Sequence, residues 1–223
     1  MSKPGSFSYS CFSCEALHPG GMLLHFATVC NMRCRYCFSE REPASKRSLE
    51  RTGTTILTVK AAVGMVDRRI ERGAPPSIIE IGGPGETLLL ADTYTTLRQL
   101  HMSYPDLPLS IWTNGVLLPD RLGDLVQSGV SRLTVSITAA TPSTAENIYD
   151  WTAYRGRKYA AREAVDLILQ QQWNGLVNAV EAGIVVTVYV ASIQGVNEHE
   201  VPMVRMRAEE IGADRVVIVP LGR

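Results

Sequence analysis

Three cysteines lie close together near the start of the chain, in the stretch "CNMRCRYC". Cys30, Cys34 and Cys37 have the spacing C-x3-C-x2-C. Thiolates this close together bind metal ions or iron–sulfur clusters, or pair as disulfides in small secreted proteins. Structural zinc sites are closed by four ligands, and no second cysteine pair follows in the sequence. Three thiolates are one short of the usual set for a [4Fe–4S] cluster, so one iron would stay open to another ligand.

Two further cysteines precede this triplet. Cys11 and Cys14 form a C-x2-C pair with His18 nearby, and the chain after Cys37 contains no cysteine. A disulfide framework would spread its cysteines through the chain, so this distribution argues against one. The pair is either part of a second metal or cluster site or a pair of small residues with no metal-binding role, and the sequence leaves both open.

The overall composition excludes several classes of protein. The chain has 223 residues, of which 45% are hydrophobic, and its 22 basic and 22 acidic residues cancel to a net charge of zero. This balance does not indicate binding to nucleic acid or to a membrane surface. The sequence contains no run of about 20 apolar residues and no signal-peptide core at its N-terminus. We therefore expect a cytoplasmic protein with a sizeable core.

Strand-like and helix-like segments alternate from residue 21 onwards. The predicted strands are 21–29, 77–83, 109–115, 132–138, 184–191 and 215–221. The predicted helices are 56–73, 91–104 with Asp92 as a possible N-cap, 119–129, a long apolar-striped helix ending at Gly183, and 198–212. Residues 39–55 and 139–160 are predicted as loops. Such alternation indicates a parallel α/β fold, here an open, partial (β/α)6 barrel over 21–223, preceded by an N-terminal segment 1–20.

The residues with chemical potential all follow strands. The cysteines follow the first strand and "GGPGE" (82–86) the second, while Asn114 lies in "TNG" after the third. Ser136 and Thr138 lie near the end of the fourth, and "SIQGVN" follows the fifth. Ligands of parallel α/β proteins bind at this edge of the sheet. Glycines allow a ligand to approach the backbone, and Glu86 could accept hydrogen bonds from an ammonium group. Taken singly, Asn114, Ser136 and Thr138 are also ordinary turn and strand residues.

The triplet, with an aromatic residue before its last cysteine and a glycine-rich turn after the next strand, resembles the radical S-adenosylmethionine (SAM) superfamily. The resemblance implies a [4Fe–4S] cluster held by Cys30, Cys34 and Cys37, whose open iron chelates the methionine part of SAM. It also implies a set of SAM contacts. Tyr36 and Ile193 would lie near the adenine, Ser136 and Thr138 near the ribose, and Gly82, Gly83, Gly85 and Glu86 near the amino group, with Asn114 as a further cofactor-binding residue. The implied activity is reductive cleavage of SAM to a 5′-deoxyadenosyl radical that abstracts hydrogen from a substrate. An external low-potential donor, such as ferredoxin or flavodoxin, would supply the electron.

Four segments narrow the resemblance to the NifB family, the radical SAM maturases of the nitrogenase cofactor. They are "CFSCEALH", "GGPGE", "NIYDWTAYRGRKY" and "IQGVNEHEV". The chain departs from that family in having no cysteine shortly after the triplet and in having Leu17 where the family has histidine. Two alternatives to an ordinary radical SAM enzyme therefore stay open. One is a cofactor maturase that uses Cys11, Cys14 and His18 as replacement ligands, and the other is a non-catalytic zinc-binding scaffold. The sequence does not predict the substrate.

Overall fold

The computed structural model describes residues 18–27, 29–37 and 55–221. Cys11, Cys14 and most of the predicted loop at 39–55 lie outside these ranges. Within them, no helix is both long and apolar enough to cross a membrane.

Six parallel strands form the main sheet, in the order β1, β3, β4, β5, β8, β9. They span Met22–His25 (β1), Ile79–Gly82 (β3), Leu109–Thr113 (β4), Val130–Ser136 (β5), Val185–Ile193 (β8) and Arg215–Leu221 (β9). β1 and β9 are its two edges, so the sheet is open. The central strands form because β-branched and aliphatic runs suit positions covered on both faces of a parallel sheet. The predicted partial barrel and its six strands are confirmed.

Helices connect the successive strands of this sheet. They are α1 (Val59–Glu71), α2 (Ala91–Ser103), α3 (Leu118–Gln127), α4 (Pro142–Ala145), α5 (Ala161–Glu181) and α6 (Val201–Ile211). The predicted ends hold where glycine enters the left-handed region, as at Gly183 (φ 76°) after α5 and Gly212 (φ 106°) after α6. The predicted N-cap Asp92 is wrong. α2 begins after Leu90, and Asp92 lies in its first turn, where a carboxylate still interacts favourably with the helix dipole.

A second sheet of three antiparallel strands was not predicted. β2 (Met32–Cys34) pairs with β6 (Tyr149–Tyr154), which forms a hairpin with β7 (Arg157–Ala160). Much of the predicted loop at 139–160 is therefore strand. The hairpin turns through Arg155 (φ 49°) and Gly156 (φ 77°). Because Cys34 lies opposite Tyr149, this sheet holds one of the three clustered cysteines.

The concave face of the main sheet is polar. Glu80 lies beside Ser110, and Thr134 beside Thr187, in a register that points neighbouring side chains to the same face. The rings of Trp112 on β4 and Tyr189 on β8 are 5.7 Å apart although β5 separates their strands, so this face curves inward. The interior beneath the carboxyl edge thus offers hydrogen-bonding groups.

Candidate active site

The cysteine-bearing segment connects β1 to the small sheet. Ala153 and Thr152 on β6 donate to the carbonyl of Asn31 at 2.6 and 3.0 Å, and Arg35 donates its backbone N–H to Ile148 at 2.8 Å. Cys37 closes a turn onto the carbonyl of Cys34 at 3.0 Å. Cys30 is exposed, and Cys34 and Cys37 are partly buried. The backbone that carries them is therefore fixed by β6.

The glycine-rich turn after β3 packs against the segment that leads to Cys30. A Cβ on Gly85 would lie 2.2 Å from the carbonyl oxygen of Val29, and one on Gly83 would lie 2.7 Å from that of Ala27. Two hydrogen bonds fasten the contact, from Gly85 N to Ala27 O at 3.1 Å and from Glu86 N to Val29 O at 2.8 Å. Glycine is therefore required at positions 83 and 85 because the chain's own backbone packs closely there. This requirement is separate from the close approach of a ligand that the sequence predicted.

Glu86 is buried, with 1% of its surface exposed. Its carboxylate accepts hydrogen bonds from Leu88 N (3.0 Å), Thr113 Oγ1 (2.7 Å) and Asn114 N (2.7 Å). Burial raises the pKa of Glu86, and these hydrogen bonds oppose that rise. A carboxylate has about four acceptor positions, and the described residues fill three of them. Its predicted contact with the SAM amino group stays a prediction.

Asn114 follows β4 and reaches the cysteine segment. Its Nδ2 donates to Asn31 Oδ1 at 2.8 Å and lies 3.6 Å from Cys30 Sγ. Although Cys30 is exposed as a residue, desolvation of its thiol raises the pKa to about 12, and the negative charge of Glu86 adds to the rise. Iron would therefore have to displace a proton on binding this sulfur. The structure brings Asn114 to the first cysteine of the triplet.

The predicted adenine and ribose contacts lie on the same edge. The Tyr36 hydroxyl is 3.4 Å from Thr138 Oγ1, which joins the cysteine segment to the end of β5. Burial raises the pKa of Tyr36 well above its ordinary value, so the phenol stays protonated. Ser136 is the last residue of β5, and Ile193 is the last residue of β8. Their roles toward SAM stay predictions.

Two buried amides that the sequence reasoning missed hold this edge together. Asn197 accepts from Ile193 N and donates to the carbonyls of Thr138 and Ala191, each at 2.7 Å. Gln172 donates to the carbonyls of Asn114 and Ser136 at 2.9 Å. Asn197 lies in the noted "SIQGVN" segment, but a polar residue in a loop gives no sign of burial.

A buried carboxylate, also missed, orders the segment after β5. Glu200 accepts from Ala140 N at 2.8 Å, Thr141 N at 3.2 Å and Thr144 Oγ1 at 2.8 Å, and also from the Thr141 hydroxyl. Burial alone would raise the pKa of Glu200, but these donors outweigh it and the pKa is lowered. Glu200 thus fixes the N-terminus of α4.

His18, from the predicted second metal site, lies away from the triplet. It precedes β1, whereas the triplet follows β1, and its Nε2 is 3.3 Å from Glu80 Oε1. Its two proposed partners, Cys11 and Cys14, lie outside the described residues. Among the residues that the structure does describe, no three His, Cys, Asp or Glu side chains converge on a single-ion site.

Comparison with known proteins gives concordant matches. The family profile described as "Radical SAM superfamily" matches residues 24–207. The FeMo cofactor biosynthesis protein NifB of Klebsiella pneumoniae is 32% identical over 217 residues, covering 96% of this chain and 46% of the relative. NifB of Frankia alni is 29% identical, covering 96% and 42%. The chain thus spans less than half the length of these two curated relatives.

Solved structures share the fold at low sequence identity. Streptococcus suis SuiB superposes with a TM-score of 0.63 at 15% identity, over 92% of this chain and 40% of that one. Methylornithine synthase (PylB) superposes with a TM-score of 0.56 at 14% identity, over 92% and 56%. Both likenesses concern the architecture.

Proposed function

The chain belongs to the radical SAM superfamily, and on this ground we propose that it is an enzyme that binds one [4Fe–4S] cluster through Cys30, Cys34 and Cys37. The bound cluster would supply the electron that cleaves SAM to a 5′-deoxyadenosyl radical, which abstracts hydrogen from a substrate. The observation that carries the proposal is the contact of Asn114 and of the glycine-rich turn, both at the carboxyl edge of the main sheet, with the segment that bears the three cysteines.

The residues present fit an iron–sulfur cluster. Thiolates are the soft ligands that such clusters take, and three of them leave one iron position open. The Nδ2 of Asn31, next to Cys30, is buried and has no hydrogen-bond partner among the described residues. A buried donor of this kind is costly unless an acceptor is bound. Sulfur atoms of a cluster would provide that acceptor.

The chain's residues would bind and orient SAM along the same edge. Backbone groups of Gly82, Gly83 and Gly85 would face its amino group, and the remaining acceptor position of Glu86 would complement that positive charge. Tyr36 would cover the adenine from the cysteine segment, while Ser136, Thr138 and Ile193 would line the side formed by β5 and β8. Asn197 and Gln172, by joining these strand ends, would keep the site rigid.

A second candidate function is maturation of an iron–sulfur cofactor, favoured by the similarity to NifB over 96% of this chain. In this case Cys11, Cys14 and His18 would bind further iron. The contact between His18 and buried Glu80 suits this role, because a ligating histidine commonly bonds a carboxylate through its other ring nitrogen. The substrate would then be an iron–sulfur cluster, bound above the polar interior of the barrel.

Iron analysis after anaerobic reconstitution separates these functions. About four irons per chain, unchanged in Cys11→Ala/Cys14→Ala and lost in Cys30→Ala/Cys34→Ala/Cys37→Ala, would support a single SAM-binding cluster. Roughly eight irons, falling in the Cys11/Cys14 variant, would support maturation. Little iron with about one zinc would refute both. Release of 5′-deoxyadenosine with dithionite, or with ferredoxin or flavodoxin as the proposed donors, tests the activity itself.

A further inference from the structure

We propose that Asn114 is a positioning residue that donates a hydrogen bond to the Cys30 sulfur and thereby raises the reduction potential of the cluster held there. The inference rests on the proposed function, since it needs a cluster on Cys30. It gives Asn114 a role that is separate from any contact with SAM.

The hydrogen bonds of Asn114 fix which end of its amide faces the sulfur. Its Oδ1 accepts from the backbone N–H of Val116 at 3.0 Å, so that end must be the oxygen. The NH₂ end therefore faces Asn31 Oδ1 at 2.8 Å and Cys30 Sγ at 3.6 Å. An amide nitrogen has two hydrogens, enough to serve both acceptors.

The backbone of Asn114 is held from both sides. Its N–H donates to Glu86 Oε2 at 2.7 Å, and its carbonyl accepts from Gln172 Nε2 at 2.9 Å. The neighbouring Thr113 hydroxyl donates to the other oxygen of Glu86 at 2.7 Å. Glu86 and Gln172 are each 1% exposed, so water does not compete for these bonds. Asn114 is thus pre-organised toward Cys30.

Asn31 supports the same interaction from the cysteine segment. Its side-chain oxygen Oδ1 accepts a hydrogen bond from Asn114 Nδ2. Its backbone carbonyl accepts hydrogen bonds from Ala153 N and Thr152 Oγ1 of β6. The contact between Asn114 and Cys30 therefore joins the end of β4 in the main sheet to the segment that leads into β2 of the small sheet. Because hydrogen bonds hold the backbone on both sides, the contact would keep its geometry when the cluster gains an electron.

A donor to a ligating sulfur favours the reduced cluster. Reduction adds negative charge that spreads onto the thiolates, and a fixed N–H dipole stabilises that charge more strongly than it does the oxidised form. Hydrogen bonds to the sulfurs are among the factors that set iron–sulfur potentials. Removing the donor should make the cluster harder to reduce.

Asn114→Ser in the reconstituted, SAM-free protein tests this inference. Serine keeps a short oxygen that can accept from Val116 N, but it is too short to reach the sulfur. At the potential where half of the wild-type cluster is reduced, we expect the ratio of reduced to oxidised cluster to fall about tenfold. This corresponds to about 59 mV for one electron. The reduced cluster is quantified by EPR during a redox titration.

Asn147→Ser is the matched control, because Asn147 is exposed and its side-chain amide donates to the nearby carbonyl of Ser143. An unchanged or raised potential in Asn114→Ser, with iron content intact, overturns the inference. If Asn114→Ser fails to hold iron, Asn114→Ala is titrated under the same criterion. Wild-type protein that binds no cluster would refute the proposed function, whereas a wild-type cluster with an unshifted variant refutes this inference alone.

Discussion

Replacement of Gly85 by alanine should destabilise the fold at the contact between the glycine-rich turn and the cysteine segment. The added Cβ would lie 2.2 Å from the carbonyl oxygen of Val29, and ordinary contact needs about 3.5 Å. The carbonyl must therefore move by roughly 1 Å. That movement breaks the hydrogen bond from Glu86 N and strains the one from Gly85 N to Ala27.

The cost follows from one broken and one strained hydrogen bond. The broken bond costs about 1 kcal/mol, the strained bond up to about 1 kcal/mol, and overpacking adds about 1–3 kcal/mol. For a chain of this length, a total of about 2–5 kcal/mol lowers the melting temperature by roughly 4–20 °C. Because Val29 precedes Cys30, the variant should also retain less iron after reconstitution.

Differential scanning calorimetry of the apoprotein and iron analysis measure the two effects. Gly123→Ala is the matched control, because a Cβ there meets no atom within 4 Å and Gly123 lies inside α3, where alanine is the better helix former. Its melting temperature should stay level or rise. Equal melting temperatures and iron contents for the two variants would refute the reasoning.

Three further predictions concern the carboxyl edge. Asn197→Ala leaves three backbone groups without their partner, of which the carbonyls of Thr138 and Ala191 are buried and Ile193 N is partly buried. It should lower the free energy of unfolding in urea by about 3 kcal/mol, whereas exposed Asn147→Ala should change it little. The folded-state pKa of Glu200 is lowered, so its carboxylate stabilises the fold above the unfolded pKa and this stabilisation is lost as the pH falls through the folded pKa. The stability gap between wild type and Glu200→Gln should therefore narrow in urea titrations run from neutral pH to about 3, and a constant gap would contradict this account. Tyr36→Phe should bind SAM with an affinity within about twofold of wild type, and Tyr36→Ala about tenfold more weakly, because the aromatic ring supplies the packing. Anaerobic calorimetry measures both affinities, and equal losses of SAM affinity in the two variants would argue against this role of the ring.

The main sheet could be predicted from the sequence because most of its strands and connecting helices are long apolar patterns with turn residues or glycine at their ends. Apolar runs such as "IVVTVYVA" end at turn residues, and a glycine follows most helices. The small sheet could not be predicted. β2 has only three residues and carries charge, and β6 buries Tyr149, Thr152 and Tyr154, which is not a period of two. Its hairpin turns through Arg155 and Gly156, and the turn signal is weak because arginine stands where asparagine or aspartate usually precedes the glycine.

The candidate site was predictable where chemistry demands a particular residue type at a fixed spacing. The cysteine triplet and the glycine-rich turn meet that condition. Gln172, Asn197 and Glu200 do not meet it, because the residue type alone does not show whether an amide or a carboxylate is buried. Their hydrogen bonds between strand ends and loops form only when the fold brings β5, α5 and β8 together.

Because β2 pairs with β6, the cysteine segment and the hairpin of β6 and β7 depend on each other's sequence and should be inherited together. Strand pairing depends on matched registers, so Met32 opposite Thr152 and Cys34 opposite Tyr149 must be kept together. A chimera that takes 29–37 from a relative should accept the cluster only if 148–160 comes from the same parent. Recombination between related genes would be tolerated within the helices of the barrel more readily than between these two segments.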